Sequence, residues 1–136
     1  METKIIDLTD LQIEELETAL DNYDRTHITY KLDGTISIGI LDNGALIAGL
    51  DACMTAFKIL YVSTVWVDEK FRLKGLGKML IEEMERRAKL LGANTIRLDT
   101  FDWQGKEFYL AMGYEIVGKY KNEIDHYEEY FFLKRI

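Results

Sequence analysis

Four basic side chains and two glycines lie close together in residues 67–78 of an otherwise acidic chain. The basic side chains fall within nine positions and are Lys70, Arg72, Lys74 and Lys78. Gly75 and Gly77 leave the backbone open to close approach by a ligand. A helix is predicted to begin there, and the first N–H groups of a helix have no partner within it. The segment therefore predicts a site for a phosphate or pyrophosphate group.

Two common phosphate motifs do not fit this segment. No third glycine follows Gly77 at the spacing of the dinucleotide motif GxGxxG, and the chain has no GxxxxGK[ST] loop. The pattern that remains is Arg-x-x-Gly-x-Gly after a strand. A tight turn without a ligand, or a site for another phosphate ligand such as ATP or NAD, stays an alternative.

Apolar periodicity predicts the elements on either side of the segment. Ile59–Val67 is apolar and β-branched nearly throughout, which is typical of a central strand covered on both faces. Apolar residues at steps of four and three then predict a long helix that ends at Gly92. They are Leu76, Leu80, Met84, Ala88 and Leu91.

The rest of the chain alternates between the same two periods. A helix from Asp10 to Tyr23 begins with Thr9 and Gln12 in capping-box order, with Asp10 as a competing N-cap, and Asp42-Asn43-Gly44 predicts a hairpin turn. Strands are predicted over about 36–40, 45–55, 95–101, 114–120 and 127–133, and a short helix over about 106–112. We therefore predict an α/β (α+β) fold with a mixed, mostly antiparallel central sheet and helices on both faces.

Length and composition limit the class of protein. The 136 residues contain no linker or repeat, which predicts a single domain over residues 1–136. A net charge of -7 argues against nucleic acid or membrane partners. One cysteine and two separated histidines argue against a metal cluster, and the lone Cys53 is expected in the core. Without a long apolar segment, the protein is expected to be cytoplasmic.

The pattern Arg72-x-x-Gly75-x-Gly77 resembles the coenzyme A loop of the GCN5-related N-acetyltransferase (GNAT) family. The segment from Phe108-Tyr109 to Gly113-Tyr114 resembles the short-helix signature of the same family, and the order of elements agrees over nearly the whole chain. The resemblance implies an acyl-CoA N-acyltransferase-like fold, acetyl-CoA as co-substrate, no metal, and acetyl transfer to an amine by direct attack in a ternary complex.

The resemblance also implies which residues bind the coenzyme. They are Val65, Trp66, Val67, Arg72, Leu73, Lys74, Gly75, Leu76, Gly77 and Lys78. In the resembled fold the strand Ile59–Val67 splays from the next parallel strand, so that the pantothenyl arm pairs along its end. An amide near Val65 or Trp66 would polarise the thioester carbonyl, and residues 72–78 would hold the pyrophosphate.

Two residues are candidates for proton transfer. The resemblance implies that Tyr109 is the general acid, although an aromatic residue on a short helix is also a typical core residue. Family members often carry a Glu on the central strand, but this chain has Tyr-Val-Ser-Thr there. We take Asp99, at the end of the next strand, as the replacement base, with an ion pair or simple solvation as alternatives and Asp102 and Glu107 as weaker candidates.

The excess of acidic residues outside the loop favours a cationic acceptor, either a small molecule or a peptide. The missing strand Glu leaves open a non-catalytic module that binds acetyl-CoA or CoA as a sensor or regulator. The aromatic tail is expected to complete the sheet or to form the edge of a homodimer. Its residues are Tyr127, Tyr130, Phe131 and Phe132.

Overall fold

The computed structural model describes residues 1–30 and 32–136, and its elements follow the predicted order. The helices are α1 (Asp10–Asp24), α2 (Leu76–Leu90) and α3 (Lys106–Ala111). The strands are β1 (Thr35–Asp42), β2 (Ala45–Met54), β3 (Ile59–Val67), β4 (Thr95–Phe101), β5 (Glu115–Asn122) and β6 (Tyr127–Arg135). The chain forms two compact units, Met1–Lys31 and Leu32–Ile136. That all 136 residues act as one domain stays a prediction.

The first unit contains α1, which begins with a capping box. The Thr9 side chain accepts a hydrogen bond from the Gln12 amide at 3.2 Å, and the Gln12 side chain accepts one from the Thr9 amide at 3.0 Å. Thr9, rather than Asp10, is therefore the N-cap, because it satisfies amides that a helix start leaves without partners.

The second unit is built on a six-stranded sheet in the order β1-β2-β3-β4-β6-β5. Among the described strands, β3 and β4 alone pair in parallel, which confirms the mixed, mostly antiparallel sheet. The β1–β2 turn carries Asn43 at φ 49° and Gly44 at φ 80°, as the Asn-Gly pair predicts. The aromatic tail forms β6 between β4 and β5, so it completes the sheet.

The core lies between one face of this sheet and the helices α2 and α3. From α2 it receives Ile81 and Met84, which have no exposed surface, and from α3 it receives Tyr109. Burying an apolar side chain of this size stabilises the fold by about 1.5–3 kcal/mol. The Lys134 ammonium group on β6 links both helices, since it contacts the Glu85 carboxylate at 2.5 Å and donates to the Met112 carbonyl at 2.8 Å.

Two predictions about burial are wrong. Strand β3 is not covered on both faces along its length, because Leu60 and Val62 are buried whereas Ser63, Thr64 and Trp66 are exposed. Cys53, expected in the core, is exposed on β2, because the inward positions of that strand belong to its neighbours. Among the described residues, no helix is long and apolar enough to span a membrane.

Candidate active site

The parallel strands β3 and β4 separate part-way along their length. Their pairing runs from Ile59 opposite Thr95 to Val62 opposite Leu98 and stops there. Beyond that point β3 stays paired with β2, and β4 stays paired with β6. Residues 63–67 of β3 therefore border a gap that opens towards the carboxyl ends of both strands. The expected splay between these strands is present in the structure.

The gap begins at a β-bulge. In the β2–β3 register Ala52 lies opposite Val62 and Asp51 lies opposite Thr64, so Ser63 is an extra residue on β3. A bulge interrupts regular pairing and increases the local twist. It also places both Val62 and Val65 on the core side of the sheet.

The direction of the main chain in the gap follows from one hydrogen bond. The Asp68 amide donates to the Ile47 carbonyl on β2 at 2.7 Å. Main-chain groups alternate in direction along a strand. The N–H and C=O groups of Trp66 therefore point towards β2, as the Asp68 amide does, whereas those of Val65 and Val67 point into the gap. Of the two amides considered for the thioester carbonyl, that of Val65 is therefore the one that faces the gap.

The loop after β3 folds back against the end of that strand. The Asp68 side chain accepts a hydrogen bond from the Lys70 amide at 2.9 Å, and Arg72 Nε donates to the Val67 carbonyl at 3.0 Å. Leu73 and Gly75 have positive φ angles of 62° and 81°. This conformation is costly for a branched residue such as Leu73 and favourable for Gly75.

Helix α2 begins at the end of this loop. Its first main-chain hydrogen bond joins the Met79 amide to the Gly75 carbonyl at 3.1 Å. The amides of Leu76, Gly77 and Lys78 have no partner inside α2, all of whose residues are described, and they carry the positive end of the helix dipole. Free amides at a helix start can bind an anion.

The basic side chains of the loop remain close to this helix start. Lys74 lies over the Phe71 ring at 5.4 Å, and Lys78 pairs with Glu82 at 3.8 Å on the exposed surface of α2. Such exposed contacts are weak, so both ammonium groups can turn to a phosphate at little cost.

Gly77 provides a close contact that the sequence analysis did not identify. A Cβ atom at this position would lie 3.2 Å from the Phe108 ring on α3. The absence of a side chain therefore lets the start of α2 approach the residue next to Tyr109.

Tyr109 is buried in the core, with 7% of its surface exposed. Its ring packs against Tyr114 and Phe132, and burial raises the pKa of its hydroxyl to about 12. The hydroxyl is therefore protonated at neutral pH and available as a donor. Tyr109 is thus a core residue, and its protonated hydroxyl could also act as a proton donor.

Asp99 lies on the opposite face of the sheet from Tyr109. Leu98 and Thr100 point into the core, and Asp99 between them is exposed. The Tyr61 hydroxyl on β3 donates to Asp99 Oδ2 at 3.4 Å. Asp99 is the first residue of β4 beyond the last parallel pair, so it stands at the mouth of the gap. No motif in the sequence marks Tyr61 as its partner.

The remaining polar residues after β4 and on α3 have structural contacts or stand apart. The Gln104 side chain accepts a hydrogen bond from the Phe101 amide at 2.8 Å and closes the turn after β4. The Asp102 carboxylate accepts one from the Glu128 amide at 3.0 Å. Asp102 also lines a cavity of about 440 Å³ at the β5–β6 turn, and Glu107 is exposed on α3.

Comparison with known proteins identifies the family. Residues 5–114 match the model of the acetyltransferase (GNAT) family. The chain belongs to this family. It is thus an acetyltransferase, as the two sequence motifs predict. No curated protein is significantly similar to it in sequence.

Solved structures agree with this assignment. An acetyltransferase from Bacillus cereus is 28% identical, with a TM-score of 0.89 and 98% of each chain covered. A structure from Agrobacterium tumefaciens is 22% identical, with a TM-score of 0.84 and 100% of each chain covered. An aminoglycoside 6'-N-acetyltransferase complexed with coenzyme A is 18% identical, with a TM-score of 0.64 and 97% of each chain covered. The last two similarities concern the fold.

Proposed function

We propose that this GNAT acetyltransferase transfers the acetyl group of acetyl-CoA to a primary amine on a cationic small molecule or peptide, within a ternary complex. The observation that carries the proposal is the gap between β3 and β4, which leads directly into the loop and the start of α2. One extended ligand with an anionic group at one end fits this arrangement. The neighbour that binds coenzyme A supports the choice of ligand.

The donor would lie with its pyrophosphate at the start of α2 and its pantothenyl arm along β3. The amides of residues 76–78 and the side chains of Lys74 and Lys78 would bind the phosphates. The N–H and C=O groups of Val65 and the N–H group of Val67, which face the gap, would pair with the amide groups of the arm. Arg72 would act mainly by holding the loop against the Val67 carbonyl.

The thioester would then lie in the gap between Tyr109 and Asp99. An alkylammonium group with a pKa near 10.4 arrives protonated, and the Asp99 carboxylate would accept that proton. The neutral amine would attack the thioester carbonyl carbon, so that the N–C bond forms and the C–S bond breaks. The nitrogen, positively charged after attack, would lose its second proton to solvent and so become the amide, and Asp99 would also return its proton to solvent. The departing thiolate takes a proton from the Tyr109 hydroxyl, which regains one from solvent. Because Tyr109 and Asp99 lie on opposite faces of the sheet, they suit a thioester that lies in the gap between β3 and β4, with the thiol leaving towards Tyr109 and the amine arriving beside Asp99.

The charge of the chain supports a cationic acceptor. Asp and Glu number 24 against 17 Lys and Arg, and four of those basic residues belong to the donor loop. An acidic surface raises the local concentration of a cation and speeds its association. The proposal also includes the cytoplasmic location predicted above.

Release of free thiol from acetyl-CoA in the presence of an amine tests the proposal. The panel should contain polyamines, aminoglycosides, lysine peptides and simple alkylamines, with each amine also assayed without enzyme. We expect amine-dependent thiol release that falls at least about 100-fold in Tyr109→Phe, while acetyl-CoA affinity stays unchanged. Tight binding of acetyl-CoA without thiol release for any amine would favour the non-catalytic sensor. No binding of acetyl-CoA would refute the assigned site.

A further inference from the structure

We infer that Tyr61 is a positioning residue for the proposed base Asp99. Its hydroxyl holds the Asp99 carboxylate at the mouth of the gap, so that Asp99 on β4 can do the work of the missing Glu on β3. This inference rests on the proposed function, in which Asp99 accepts the proton of the incoming ammonium group. It assigns a role to a residue that neither sequence motif contains.

The first support is the position of the two residues in the parallel pairing. Tyr61 lies opposite Arg97, one pair before the gap opens, and Asp99 follows two residues later on the same face of β4. Tyr61 therefore lies where β3 and β4 are still paired, whereas Asp99 lies beyond the last β3–β4 pair and stays paired only with Phe131 on β6. A contact from the part of β3 that pairs with β4 can fix a side chain at the edge of the opening.

The second support is the geometry of the contact. The Tyr61 hydroxyl and Asp99 Oδ2 are 3.4 Å apart, longer than the usual distance of about 2.7–2.8 Å for such a bond. Contacts of this kind are commonly long in unliganded sites and shorten in the substrate complex. Because Tyr61 approaches one carboxylate oxygen, the other oxygen is left for the ammonium group of the acceptor.

The third support is what holds the Tyr61 ring. The Arg97 guanidinium lies over the ring at 4.6 Å from its centre, which limits the directions that the hydroxyl can take. Burial raises the pKa of Tyr61, and the Asp99 charge adds to this effect. The phenol thus stays protonated and remains a donor to Asp99. Within the second unit Asp99 is exposed and Tyr61 is half-buried, and both lie on the side of the sheet opposite its core.

The test uses Tyr61→Phe, which keeps the ring over which Arg97 lies and removes only the hydroxyl. Tyr120→Phe is the matched control, because Tyr120 is exposed on β5 and lies outside the proposed site. With the best alkylamine of the panel we expect kcat to fall about 10-fold in Tyr61→Phe, as loss of a hydrogen bond to a charged group implies. The KM for acetyl-CoA should not change.

Two further measurements separate positioning from a structural role. An aminooxy analogue, in which oxygen replaces the CH2 next to nitrogen, is neutral at pH 7.5 and needs no base for that proton. With this analogue, the decrease in kcat caused by Tyr61→Phe should therefore shrink to within about twofold. In the Asp99→Asn background, which alone should lower kcat about 100-fold, Tyr61→Phe should have no added effect, since it acts through Asp99.

The outcomes distinguish this inference from the proposed function. Thiol release by the wild type together with equal kcat in Tyr61→Phe and Tyr120→Phe would overturn the inference alone. Equal losses with the amine and its aminooxy analogue, or additive losses with Asp99→Asn, would also overturn it. A wild type that releases no thiol with any amine would overturn both.

Discussion

Gly75 allows a test that separates the conformation of the loop from the charge of its ligand. It is the residue before α2, its φ of 81° lies in the left-handed region, and a Cβ atom there would have no neighbour within 4 Å. Gly75→Ala therefore adds strain without a clash and should cost about 1–2 kcal/mol of folding free energy. Gly75→Glu shares this cost and also places a carboxylate in front of the α2 amides.

The added charge determines the expected loss of donor affinity. A single negative charge about 6 Å from a doubly charged pyrophosphate is repelled by about 1.4 kcal/mol at a dielectric constant of about 80 and by roughly 2.8 kcal/mol at about 40. These energies raise the Kd for acetyl-CoA about 10- to 100-fold relative to Gly75→Ala. In the absence of donor, a carboxylate at a helix start is mildly stabilising, so Gly75→Glu should be at least as stable as Gly75→Ala.

Isothermal titration with acetyl-CoA, next to urea unfolding of both variants, measures the two effects separately. The difference in Kd between Gly75→Glu and Gly75→Ala should shrink with added salt, because ions screen exposed charges. Equal Kd values for the two variants at low salt would refute the assignment of the pyrophosphate to the start of α2.

Two predictions concern stability. Burial raises the pKa of Tyr109 to about 12, so its contribution to the free energy of unfolding is fully present below about pH 10 and falls by up to about 3 kcal/mol as the pH rises through 12. Urea unfolding between pH 9 and 12 should therefore show a smaller loss of stability in Tyr109→Phe than in the wild type. Equal losses would contradict this. Lys134→Met should destabilise the protein by about 2 kcal/mol, because it leaves the largely buried Glu85 carboxylate without its cation. Lys119→Met is its control in the same urea assay, since its more exposed pair with Glu128 at 3.8 Å is screened by solvent and should contribute much less. Equal effects of the two variants would refute the argument.

Local signals in the sequence predicted the elements well. The ranges Ile59–Val67 and Thr95–Phe101 coincide with β3 and β4, and the Asn43-Gly44 turn forms as expected. These features depend on neighbouring residues, such as the alternation of apolar side chains or a glycine that tolerates positive φ. The Arg-x-x-Gly-x-Gly motif is equally local, so the start of α2 could be placed from it.

Features that depend on pairing between distant segments could not be predicted. The continuous apolar run of β3 does not reveal that Ser63 is an extra residue, because a bulge is defined only relative to β2. The contact of Tyr61 with Asp99 joins residues 38 positions apart and requires the β3–β4 register. The exposure of Cys53 likewise follows from which face of β2 meets the core.

The opening in the sheet lies beside one extra residue on β3, Ser63, so we expect it to depend on the number of residues in that strand more than on their side chains. Strand β3 contains one residue more than its neighbour β2 can match, and the parallel pairing with β4 ends just before that residue. Removing Ser63 would leave Val62 and Val65 on their present side of the sheet while taking away the irregularity that parts the strands. We therefore expect deletion of Ser63, more than any substitution in β3, to extend the pairing of β3 with β4.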